Sequence, residues 1–138
     1  MERTLVLIKP DGVERGLVGK VIERYENKGC KIAALKLLRL SKEKAEEHYF
    51  EHQGRPFFPA VIEYLCSGPL VALVLEGEDI INVIRKLHGA TDPKEAEPGT
   101  IRGDLAYEMS ANLVHASDSL ANAEREITIF FSSEEIFA

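Results

Sequence analysis

Apolar positions along the chain alternate between two periods. Residues 3–9 hold a short apolar run that Lys9-Pro10-Asp11-Gly12 breaks at once, the pattern of a buried strand. Val18, Val21, Ile22 and Tyr25 then recur at i, i+3, i+4, i+7, one stripe of a helix that Gly29 is placed to stop. Residues 30–40 return to a strand, with alternation clearest where Leu38 and Leu40 flank Arg39. Ser41 is suited to cap a short helix through about Phe50. A further helix over 58–66 is closed by Ser67-Gly68-Pro69, and residues 70–75 are an unbroken apolar run, read as a central strand. Ile80, Ile81, Val83, Ile84 and Leu87 mark another helix face, ending near His88-Gly89. A helix over 119–125 and a strand over 127–131 complete the pattern. Four strands with helices between them predict an α+β fold of the ferredoxin-like, split β-α-β type: a four-stranded antiparallel sheet with helices on one face.

One segment departs from periodicity. Residues 90–110 carry turn signals at Asp92-Pro93, Pro98-Gly99 and Arg102-Gly103-Asp104. A long irregular connection inside a small domain is commonly functional or disordered, and the functional reading is preferred here. This one contains Arg102 and leads directly into Asn112 and His115.

With 138 residues, 45% of them apolar and 29% charged, the chain reads as a single globular domain over 1–138 that needs no disulfide or metal to fold. Cys30 and Cys66 lie in apolar segments with no C-x-x-C spacing and read as buried, reduced thiols. No stretch is long enough for a signal peptide or a membrane span, so a cytoplasmic location away from membranes is expected. The net charge of −6, with no basic stripe, argues against nucleic acid as a partner. A pocket for a small anionic substrate needs only a few local cations and is untouched by that argument.

The familiar nucleotide devices are absent. Glycines 12, 16 and 19 followed by Lys20 miss the phosphate-loop spacing, because position 14 is Glu and position 21 is Val. They do not give G-x-G-x-x-G either, and no H-E-x-x-H, G-x-S-x-G or zinc-like Cys/His spacing occurs; no residue is read as a metal ligand. The best candidate for chemistry is the stretch N-L-V-H-A-S-D-S at 112–119. Histidine acts as a nucleophile in its own right when a partner on the second ring nitrogen fixes its tautomer. Glu126 is a candidate for that partner, Ser117 is placed to orient Glu126 or to meet phosphate, and the helix start beside them favours an anion. On residue types alone a lone histidine beside a helix cap is more often structural. His48, His52 and His88 stand among charged residues, where a solvated surface is the default reading. Lys9 at a strand end, Arg85 on a helix and Arg102 in the irregular segment are further candidates, though each taken singly reads by default as solvated charge. Phe57 and Phe58, between Pro56 and Pro59, offer one ring to the core and one stacking face.

These stretches together resemble one family. The segments T-L-V-L-I-K-P-D-G-V-E-R-G at 4–16, H-Y-F-E-H at 48–52, R-P-F-F at 55–58 and S-G-P at 67–69 match it in order and spacing. So do G-A-T-D-P at 89–93, P-G-T-I-R-G-D at 98–104, N-L-V-H-A-S-D-S at 112–119 and E-R-E-I at 124–127. From Arg3 to Phe131 the chain resembles nucleoside diphosphate kinases. The resemblance implies ping-pong transfer of the γ-phosphoryl group from a nucleoside triphosphate, mainly ATP, to a nucleoside diphosphate through phosphorylated His115. It implies attack by Nδ1, with Glu126 holding the other nitrogen. Lys9, Tyr49, Arg85, Thr91, Arg102 and Asn112 match positions around the phosphates and sugar, and Phe57 matches the ring under the base. Mg²⁺ carried by the substrate phosphates is implied, as is a homo-oligomer built from dimers, a hexamer favoured over a tetramer. One position departs from the family's pattern: Ala116 stands where glycine is usual, and it is expected to have negative φ. The rival reading is a non-catalytic nucleotide-binding or regulatory protein on the same fold.

Overall fold

The computed structural model describes residues 1–137 and, of His52, the backbone alone. Strand β1 (Glu2–Ile8) is followed by the short helix α1 (Pro10–Glu14), helix α2 (Val18–Lys28) and strand β2 (Lys31–Leu38). Helices α3 (Lys42–His48) and α4 (Phe58–Leu65) precede strand β3 (Leu70–Gly77) and helix α5 (Ile80–His88). Helix α6 (Ile101–Leu105), strand β4 (Val114–Ala116) and helix α7 (Leu120–Phe130) close the order. The strands form one antiparallel sheet in the order β2-β3-β1-β4, the ferredoxin-like arrangement the sequence predicts.

Burial explains why β1 reads as an unbroken apolar run. Leu5 and Leu7 face a core that includes Ala45 of α3, Leu65 of α4 and Phe130 of α7. Val6 and Ile8 face a second core with Val21 and Tyr25 of α2 and with Ile80 and Ile84 of α5. The two crossover helices thus share one face, as expected of the class. The opposite face is also covered, by α3, α4 and α7, so helices lie on both faces rather than one. Continuous hydrophobicity is the signature of a strand with two buried faces.

Two expectations about elements need correction. Residues 127–131 are not a strand: α7 runs on to Phe130 and buries Ala123, Ile127 and Phe130, spaced i, i+4, i+7. The fourth strand is Val114–Ala116 instead, three residues long and paired with β1 through Val6↔Ala116, Leu7↔His115 and Ile8↔Val114. Segment 90–110 is also more ordered than its turn signals suggest. It contains α6, capped by the Thr100 side chain, which accepts from the Gly103 N–H at 3.0 Å.

The same segment depends on a glycine for close packing. A Cβ on Gly103 would lie 2.0 Å from the Glu97 carbonyl oxygen and 2.8 Å from Thr100 Oγ1. Backbone cannot yield cheaply, so Gly103→Ala should destabilise by about 1–3 kcal/mol or more. Chemical denaturation would check this, and a wild-type midpoint for the variant would refute it.

Candidate active site

The register of β4 against β1 decides where His115 stands. Opposite Leu7, near the end of β1 that leads into Lys9, it opens on a cavity of about 660 Å³ lined also by Lys9, Tyr49, Arg85, Thr91, Arg102, Asn112 and Glu126. Residues spread over 118 positions of sequence therefore converge on one cavity. Ser117 lies just behind them, fully buried. Phe57 is 46% exposed at the start of α4 and is not among the residues lining the cavity.

The histidine is held on one side only. His115 Nε2 lies 2.7 Å from Glu126 Oε1, and Ser117 Oγ donates to the same oxygen at 3.0 Å. Ser117 is itself fixed to β1, its hydroxyl oxygen accepting from the Leu5 N–H at 3.2 Å and its own N–H donating to the Leu5 carbonyl at 3.1 Å. Burial, with Lys9 and Arg102 adding repulsion, lowers the pKa of His115 to about 3. The imidazole is therefore neutral, and a neutral ring that donates Nε2–H to Glu126 carries its lone pair on Nδ1. Burial raises the Glu126 carboxyl, opposed by His48 and the Ser117 hydrogen bond.

Two of the three cations are held by hydrogen bonds, Lys9 by a side chain and Arg102 by backbone carbonyls. Lys9 Nζ donates to Asn112 Oδ1 at 2.8 Å, and Asn112 Nδ2 donates to the Thr91 carbonyl at 2.9 Å. Burial and Arg102 lower Lys9 to about 8, with Asp11 opposing. Arg102, read from sequence as a charge in an irregular segment, is in fact buried in α6. Its guanidinium reaches three carbonyls: Asn112 at 3.2 Å, Gly89 at 3.0 Å and Val114 at 2.6 Å. Burial, chiefly, lowers its pKa to about 10, so it remains a cation. Arg85 is exposed on α5 at the cavity wall.

Backbone strain accompanies this ordering. Leu113 has φ of +71°, rare for a bulky side chain, and is fully buried. It is held by the Lys9 N–H donating to its carbonyl at 2.7 Å and by Asp11 Oδ2 accepting from its N–H at 3.2 Å. That turn separates Asn112, which faces Lys9, from the strand that carries His115. Ala116 is not among the described residues with positive φ and sits in β4, as expected.

Two histidines depart from the solvated reading. His48 is 4% exposed and His88 1% exposed; the His52 side chain lies outside the described residues. His88 Nε2 meets Tyr25 Oη at 2.6 Å. His48 packs edge-on against His115, ring centroids 4.6 Å apart, and lines the cavity. Sequence reasoning missed His48 and Asp11 as site residues. For His48 a signal existed: with Ala45 it forms the i, i+3 buried stripe of an otherwise charged helix. Cys30 and Cys66 are unpaired and half-buried.

These titrations predict a pH profile. His115 accepts a proton only near pH 3, so kcat/KM should stay flat from about pH 7 down to about pH 5, with no break at the ordinary imidazole value. Lys9 loses its charge as pH rises through about 8, and kcat/KM should fall above it. A break near 6.5 beyond the one due to the nucleotide's own terminal phosphate would contradict the neutral imidazole.

The nucleoside diphosphate kinase family model matches residues 2–136. A nucleoside diphosphate kinase of Archaeoglobus fulgidus is 59% identical over 136 residues, covering 99% of this chain and 90% of that protein. One from Thermus thermophilus is 56% identical over 136 residues, covering 99% of each. Among solved structures, a halophilic nucleoside diphosphate kinase from Halobacterium salinarum in complex with CDP superposes with a TM-score of 0.97 at 46% identity, over 99% of this chain and 91% of that one. The Aquifex aeolicus enzyme gives 0.95 at 46% identity, over 98% of each chain.

Proposed function

The chain belongs to the nucleoside diphosphate kinase family and is a kinase of nucleotide metabolism; from that premise we propose that His115 is its phosphoryl carrier. The observation that carries this reading is a neutral imidazole pinned at Nε2 by Glu126, 2.7 Å away, and open to a cavity lined by Lys9, Arg85 and Arg102. Nδ1 attacks the γ-phosphorus of a nucleoside triphosphate, its lone pair forming the P–N bond as the bond to the bridging oxygen breaks. The diphosphate leaves with that electron pair. A second diphosphate then attacks the phosphohistidine, the P–N bond breaks, and Nδ1 recovers its lone pair.

The remaining residues position and stabilise, which is most of what phosphoryl transfer asks of a protein. Lys9, Arg85 and Arg102 meet the phosphates. Tyr49, Thr91 and Asn112 complete the polar wall, and Ser117 with Glu126 steadies the nucleophile. Phe57 presents an exposed ring on which any base would lie. Stacking without base-edge hydrogen bonds gives acceptance of the common bases.

Mg²⁺ bound by the nucleotide's phosphate oxygens would neutralise part of their charge and hold them in line. The chain's own residues fit that assignment. The His/Cys/Asp/Glu group among the described residues close enough to hold an ion joins His48, His115 and Glu126, which is not the all-oxygen set Mg²⁺ prefers. We also read the chain as one domain of a cytoplasmic homo-oligomer built from dimers, a hexamer in preference to a tetramer. Edge strand β2 supports pairing, since Leu35 is 51% and Leu37 63% exposed on it. No described helix is long and apolar enough to cross a membrane.

Phosphoryl capture tests the carrier. Protein mixed with Mg²⁺ and γ-labelled ATP, then freed of nucleotide, should retain acid-labile, base-stable label that GDP or dTDP discharges. ATP binding without label would replace the covalent mechanism with the non-catalytic reading.

A further inference from the structure

We propose that His48, His115 and Glu126 form a binding site for a divalent transition ion of the Zn²⁺ kind, and that an ion held there silences the nucleophile. One ligand atom from each side chain lies within 4.8 Å of the others. They come from α3, β4 and α7, so no spacing in the sequence announces them. His48 supplies an independent pointer. It is 4% exposed, yet neither ring nitrogen has a hydrogen-bond partner. A buried imidazole in that state has given up water for nothing, and a coordinate bond would offset the loss.

The dimensions suit a small ion. Zn–N and Zn–O bonds of about 2.0–2.2 Å place tetrahedral ligands about 3.4 Å apart. Small side-chain rotations therefore close the triangle. All three residues line the cavity, which gives the ion a route in and leaves its fourth position to a water. Two imidazoles and a carboxylate suit Zn²⁺ or Co²⁺ and not Mg²⁺, so excess Mg²⁺ should not compete. Lys9, Arg85, Arg102 and Arg125 line the same cavity and weaken the cluster's hold on a dication, with Asp118 opposing them. The ion should therefore exchange freely and yield to a chelator.

Silencing follows from counting protons. A neutral imidazole has one N–H and one lone pair. An ion on Nδ1 takes the pair that would attack phosphorus. An ion on Nε2 displaces the proton facing Glu126, which then occupies Nδ1 and covers the same pair. No oxidation state changes in either case. This second half rests on His115 being the nucleophile; the ion site does not.

Titrating the nucleotide-free protein with Co²⁺ reads the site alone. One equivalent should produce the visible absorption of four-coordinate Co²⁺, lost in His48→Gln and in Glu126→Gln, two substitutions that keep size. Far-UV circular dichroism identifies a variant that fails to fold, and the other then decides. No band on the wild type, or a band that survives in a folded variant, overturns the site. Phosphoryl uptake is then followed with Mg²⁺ in large excess and Zn²⁺ at about ten times the dissociation constant found in a competition titration. Uptake should slow about tenfold and recover with a transition-ion chelator. Undiminished uptake beside a normal Co²⁺ band overturns the silencing while leaving the site. Absence of uptake without any Zn²⁺ would instead count against the carrier role of His115.

Discussion

Replacing His115 with alanine is expected to abolish phosphoryl capture and to lower turnover by at least about 10⁴-fold, the scale on which enzymes lose activity with their nucleophile. The geometry allows no substitute. His48, the nearest imidazole, stands 4.6 Å away between ring centroids, but neither of its ring nitrogens makes a hydrogen bond that would fix its tautomer. The fold should survive, because His115 is only half-buried and its backbone pairing with Leu7 does not depend on the side chain. Nucleotide affinity should change little, since Lys9, Arg85 and Arg102 remain. Labelling, equilibrium binding and thermal melting measured on the same preparation separate these quantities. Label on the alanine variant would move the carrier to another residue.

Arg102→Met is expected to damage stability and activity together. The guanidinium satisfies carbonyls of Gly89, Asn112 and Val114, tying the end of α5 to the segment that leads into β4. Methionine keeps much of the volume and leaves those oxygens without a donor in a buried setting. Each such loss costs about 1–3 kcal/mol, and partial rescue by water suggests about 3–5 kcal/mol in total. For a chain of this size the melting temperature should fall by roughly 10–20 °C. Val114 precedes His115, the proposed carrier, so kcat should fall even where the variant is fully folded. Arg102→Lys should recover part of the charge but not the three-way fork, because an ammonium is a point charge on a flexible stem. Calorimetry with steady-state kinetics below the transition would test this. Wild-type stability with reduced phosphate affinity would show that Arg102 serves the substrate alone.

Where the chain was legible, one physical pattern dominated its neighbourhood. β1, α2 and α5 announced themselves because a long run or stripe of apolar residues left no competing period. Residues 127–131 misled because Ile, Thr, Ile, Phe and Phe have high strand propensity. The i, i+4, i+7 stripe from Ala123 through Ile127 to Phe130 outweighed that propensity once packed on the sheet. β4 was illegible because three residues hold too little periodicity to register. His88 stands on the buried stripe of α5 with Ile81 and Ile84, yet its residue type argued for solvent. The site itself was legible through family resemblance far more than through chemistry. Lys9, Arg102 and His115 are ordinary charges and a lone histidine until the register of β4 on β1 brings them together.

That register also sets the order in which the molecule can come into being. β1 ends at Ile8, and one of its two neighbours, β4, begins at Val114. During synthesis at ~5–20 residues per second, β1 must wait on the order of 5–20 s for its second partner. Until then its edge and one side are open to other chains. No N-terminal fragment short of α7 contains His115, Glu126 and the strand that positions them. Activity should therefore emerge in a single late event, with no partly active precursor, and crowding of nascent chains should threaten β1 before any other element.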